Sequence, residues 1–139
     1  MPLIDNYLLN NYGLDGFDKD KELKMIAQGA LTSSNSGIAG NSFDTRGSTA
    51  NSYYINLGFA FPVLPKLVIV KTNSGSPQCV FVQDLKNSFG DSICFTPSSG
   101  GLFLAVSTTT SAFSFFVTTS LMKLPTALSN TNHTWEAYA

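Results

Sequence analysis

The sequence predicts an all-β fold: a small antiparallel β-sandwich of six to eight strands behind a short helical or extended N-terminal segment. Three observations predict it. From Ile26 onward, short runs rich in β-branched and aromatic residues recur about every 8 to 15 residues, separated by Gly-, Ser-, Asn- and Pro-bearing breaks. No amphipathic helical period lies between those runs. Charged residues are only 12% of the chain, about half the usual share, and 17 Ser, 13 Thr and 11 Asn stand in their place. A surface of hydroxyls and amides suits rigid β-structure and disfavours long solvated helices.

Residues 1–26 form an N-terminal attachment or arm segment, and 27–139 the sandwich domain. The boundary follows charge: eight of the seventeen charged residues fall within residues 1–26 and nine in the remaining 113. Asp18 to Met25 (DKDKELKM) reads as a short helix capped by Asp, or equally as an extended connection. MIAQGALTS opens the β-region. Residues 33–52 (SSNSGIAGNSFDTRGSTANS) read as one long loop with a short strand around Ile38, a length that often marks function.

Strands follow at YYINLGF (53–59), KLVIVKT (66–72), QCVFVQD (78–84), SICFTP (92–97), GLFLAVSTT (101–109), AFSFFVTT (112–119) and NHTWEAYA (132–139). Pro62 and Pro65 cannot donate to a ladder, so they place a corner between the first two of these. In KLVIVKT, Leu67 and Ile69 share one face and Val68 and Val70 the other. In QCVFVQD, Cys79 and Phe81 oppose Val80 and Val82. Strands apolar on both faces call for two covers, and the bareness of FSFFV (113–117) points the same way, to a second sheet or a homo-oligomer.

Net charge is −1 with a single Arg, so the electrostatic term that drives nucleic-acid binding is missing. No apolar run reaches the roughly 18 residues of a membrane span, so no membrane insertion is expected. The acidic start lacks the basic and apolar blocks of a signal peptide. Cys79 and Cys94 read as reduced thiols without metal-ligand spacing. No nucleophile elbow or phosphate-cradling glycine loop is present, and His133 reads as a strand or loop residue. The chain is therefore expected to be non-enzymatic, with no cofactor and no metal. Asp84 and Asp91 flank the turn DLKNSFGD and read as water-facing turn residues, calcium coordination being the weaker alternative.

Binding needs only rigidly held loops. Aromatic faces beside Asn, Asp and Ser stack on sugars and read their hydroxyls. The candidates are Asp44 and Arg46 in the 33–52 loop, Asn73 in the 73–77 turn, Asp84, Asn87 and Asp91 in the 84–91 turn, and Tyr138.

INLGFAFPVLPKLVIVKT, then FSFFV, then the closing TWEAYA follow one another in an order that resembles a known group. An I-x-L-G-F strand leads through prolines into alternating valines, and a W-x-A strand ends the chain. The resemblance is to the C-terminal tip domains of phage tail fibres and the related H-type lectin sandwiches, and it covers residues 53–139. It implies a homotrimer around a fibre axis, in a virion, made in the host cytoplasm, with loops that bind a bacterial surface glycan or receptor. None of the family's sugar-binding residues matches a position here, so none is carried over, and Trp135 is assigned to packing. A charged N-terminal segment stands where the family has a long fibrous repeat, which implies docking onto other virion proteins. A head or tail decoration or adaptor protein, and a free lectin, are the alternative readings.

Overall fold

The computed structural model describes residues 22–97 and 101–139. Of residues 18–25, expected to be helical or extended, 18–21 lie outside them, while 22–24 form no helix and Met25 begins the first strand. Among the described residues ten strands form: β1 Met25–Thr32, β2 Ile38–Asn41, β3 Ser48–Gly58, β4 Leu67–Thr72, β5 Pro77–Lys86, β6 Ser92–Thr96, β7 Leu102–Val106, β8 Phe116–Val117, β9 Leu121–Thr126 and β10 Asn132–Tyr138. They pair antiparallel in a six-stranded sheet, β1-β10-β4-β5-β6-β7, and a four-stranded sheet, β2-β3-β9-β8. The all-β, antiparallel reading stands, with more strands than the six to eight expected.

Three differences from the expected strands stand out. The short strand expected around Ile38 is β2, but residues 33–52 are not otherwise one loop: β2 and the first half of β3 make a hairpin, tied by Thr49 Oγ1 to the Gly40 amide and carbonyl. The Gly/Ser/Asn composition hides the first half of β3, and the hairpin rests on packing: a Cβ at Gly40 would lie 2.7 Å from the Phe115 ring. The segment 112–119 contributes only Phe116–Val117 as strand, because residues 107–115 form a hydroxyl-rich loop in which Ser107 Oγ accepts from the Thr109 and Thr110 amides. Finally, LMKLPT (121–126) is a strand despite Lys123 and Pro125. Its neighbour β8 pairs only with Met122 and Lys123, so Pro125 lies beyond that ladder and removes nothing from it.

The core lies between the sheets and follows the alternation. Val68, Val70, Cys79 and Phe81 point inward, opposite Ile55, Met122 and Leu124 of the smaller sheet, all buried. Fully burying side chains of this size contributes about 1.5–3 kcal/mol each. The expected Pro corner is the crossover between sheets. Phe59 and Phe61 keep hydrogen bonds to the carbonyls of Ser120 and Thr119 at 3.0 and 2.8 Å as the chain leaves β3. Pro62 to Lys66 then carry it to β4. Trp135, on β10, packs edge-on against Phe59 and Phe61 at 5.2 and 6.0 Å and covers Gly29 of β1, which confirms its packing role.

FSFFV is covered by the chain itself: Phe115, Phe116 and Val117 are buried, with Phe115 seated on Gly40. Among the described residues, outward apolar side chains lie elsewhere, with Phe95 and Phe103 among the exposed ones. Register places Ile69, Val80, Phe95 and Phe103 in one cross-strand ladder and Leu67, Val82 and Ile93 in the next. Both ladders face outward from the six-stranded sheet.

Candidate functional site

Three loops meet at one end of the sandwich, and Arg46 joins them. The β2–β3 turn closes through Ser42 N–H to the Gly47 carbonyl (2.7 Å) and Arg46 N–H to the Ser42 carbonyl (2.8 Å). That geometry puts Arg46 in the left-handed region, φ 60°, where a non-glycine residue is strained. Its side-chain contacts offset the strain. In the β5–β6 turn, Asn87 Oδ1 accepts from the amides of Phe89 (3.0 Å) and Asp91 (2.8 Å), an Asx-type closure completed by Gly90 at φ 83°.

The two turns are then cross-linked. Arg46 donates from Nε and Nη2 to the two carboxylate oxygens of Asp91, each at 2.7 Å, the bidentate pairing that suits a guanidinium. Asn87 Nδ2 donates to Asp91 Oδ2 (3.1 Å) and to the Phe43 carbonyl (2.8 Å). Phe43 N–H in turn donates to the Phe103 carbonyl of β7, fastening the turn to the sheet edge. The guanidinium lies between two phenyl rings, 4.7 Å from the centre of Phe89 and 5.2 Å from that of Phe113 in the third loop. The Arg46 hydrogen bonds hold the Asp91 carboxyl below the usual range, with Asn87 and Lys86 adding to them against a partial desolvation cost. The same pairing raises Arg46.

Asp91 is only 7% exposed, so the expectation of a water-facing turn carboxylate is corrected for it: the charge is consumed inside the cluster. Arg46 stays 39% exposed and Phe89 50%. Two of the five guanidinium donors are engaged by Asp91, leaving three. The outer surface of the cluster thus combines an exposed aromatic ring with a fixed set of polar donors.

Of the seven residues expected to bind ligand, Arg46, Asn87 and Asp91 come together, and exposed Asp44 shares the turn with Arg46. Asp84 is exposed near the end of β5. Asn73 stands at the opposite end of the ten-residue β5, about 30 Å away at ~3.3 Å per residue. Tyr138 donates to Glu136, which pairs with Lys71 at 2.6 Å on the outward face of the large sheet. Phe89 and Phe113 escaped sequence reasoning. A phenylalanine inside a polar turn, as in KNSFGD, is the signal that finds Phe89; Phe113 was hidden in a run read as strand.

Chemistry-bearing groups elsewhere are buried. His133 is fully enclosed in β10, with Nδ1 2.8 Å from the Thr131 carbonyl and Nε2 without a hydrogen-bond partner. Cys79 and Cys94 are free, and burial, then contact with Cys94, pushes the Cys79 thiol up. Among the described residues, no three His, Cys, Asp or Glu side chains gather as a metal site. Comparison with protein-family models, with curated proteins and with solved structures finds no match to this chain.

Proposed function

We propose that the chain is a non-enzymatic virion protein, the homotrimeric receptor-binding tip of a phage or phage-derived tail fibre. Its loop cluster around Arg46 binds a bacterial surface glycan, and its N-terminal segment docks onto other virion proteins. One observation carries the binding half. Three loop residues nominated by the sequence converge on a rigid sandwich, beside a phenyl ring left half in water. Phe89 supplies the apolar platform for a sugar face, while free Arg46 donors and the exposed Asp44 carboxylate read hydroxyls. The virion half rests on the motif order in residues 53–139.

A second reading has its own observation. Asp91 and Asn87 spend their hydrogen bonds within the cluster, which is what a purely structural head or tail protein would need to pin its turns. Binding to glycan arrays and to whole bacterial cells separates the two. Under the receptor-binding reading the full chain binds, and Phe89→Ala weakens that binding about tenfold or more, in line with the loss of a stacking platform. Absence of binding to every glycan and cell surface favours the structural reading. Retention of full binding by Phe89→Ala moves the site away from this cluster.

A further inference from the structure

We infer that the loop cluster around Arg46 takes uncharged sugars and turns acidic ones away. The inference rests on the glycan-binding reading and adds the charge class of the ligand to it. Arg46 is the chain's single arginine, and a free guanidinium is what ordinarily holds a sugar carboxylate or phosphate, through a two-pronged pairing. Here that pairing is already made inside the protein. Nε and Nη2 reach the two Asp91 oxygens at 2.7 Å each, and Asp91 is only 7% exposed. A ligand carboxylate would have to compete with an internal one that Asn87 Nδ2 also holds, at 3.1 Å.

The rest of the local charge points the same way. Segments 42–47 and 84–91 carry three carboxylates, Asp44, Asp84 and Asp91, against two cations, Arg46 and Lys86. Lys86 Nζ is engaged, donating to Ser92 Oγ at 2.9 Å, and its charge also favours ionised Asp91. The 107–115 loop, which brings Phe113 to the guanidinium, has no charged residue to redress the balance. Asp44 is exposed and two residues from Arg46. An anion drawn to the remaining guanidinium N–H groups would meet that carboxylate within the screening length of about 10 Å. A sugar hydroxyl meets no such repulsion. It donates to Asp44 and accepts from Arg46, while a C–H face of the sugar lies on Phe89, which is 50% exposed.

Glycan arrays followed by titration calorimetry of the full chain test it. Oligosaccharides of neutral hexoses and N-acetylhexosamines are set against uronic-acid oligosaccharides of the same length. The neutral set is expected to bind about tenfold more tightly or better, and to change by less than roughly twofold between low and high salt. Asp91→Asn leaves the guanidinium uncompensated, so it is expected to raise uronic-acid binding about tenfold while the neutral set changes little. A residue that only pinned the turns would lower both alike. Asp44→Asn alters an exposed residue and keeps the fold even where Asp91→Asn loses it, as circular dichroism would report. It is expected to narrow the preference about threefold, by removing a repelling charge together with a hydroxyl acceptor. Uronic acids bound as tightly as neutral sugars, or a preference unmoved by both variants, overturns the inference and leaves the receptor-binding reading standing. Neutral binding that survives Phe89→Ala intact overturns it too, since the ligand then lies away from this cluster. Absence of binding to every sugar overturns the receptor-binding reading, and the inference with it.

Discussion

At the scale of single residues, Arg46 shows how an unfavourable backbone is held. A left-handed arginine persists because its guanidinium is fixed by a carboxylate fork and two rings. The Asp91 carboxyl lies below its unfolded value, so in acid the unfolded chain binds the extra proton. The stabilisation is therefore complete above the ordinary carboxyl pKa of about 3.9 and is lost as pH falls below it towards the lowered folded value. Asp91→Asn is expected to cost about 1–2 kcal/mol near pH 7, the partial exposure of Arg46 keeping the figure modest. In urea unfolding, the gap between the two proteins should close as pH drops below about 4. A gap that stays constant down to pH 2 would mean that the carboxylate charge is not what holds the turns.

At the scale of elements, alternation made β4, β5, β6 and β10 legible, because each turns alternate residues to the core, Val68, Val70, Cys79, Phe81, Cys94, Trp135 and Ala137 among them. What alternation could not show was packing that depends on a missing side chain. The short strand expected around Ile38 is β2, but its pairing with the first half of β3 was not legible, since it rests on Gly40 letting the Phe115 ring touch the backbone. β9 was obscured by a lysine and a proline, tolerated because β8 ends before Pro125. In the site, Asn87 and Asp91 were legible as turn residues and Arg46 as the lone arginine of a polar stretch. Their convergence depended on which loops the topology brings to one end. Gly40→Ala is expected to destabilise the fold by about 1–3 kcal/mol, as overpacking against Phe115 and Leu104. Pairing it with Phe115→Leu should recover part of that loss, since the smaller side chain vacates the space. Additive losses in chemical denaturation would show that the methyl is accommodated some other way.

At the scale of the whole molecule, the opening corner and the closing strand are one device. Residues 59–61 leave the small sheet still bonded to Thr119 and Ser120, and their rings meet Trp135 on the large sheet. The single tryptophan therefore stands where the two sheets are joined, and it cannot become exposed while both sheets stay packed. Thermal or urea unfolding followed by Trp135 fluorescence and by far-ultraviolet circular dichroism should give coincident transitions, the mark of one cooperative unit. A fluorescence change preceding the dichroism change would show instead that the corner opens before the sheets melt.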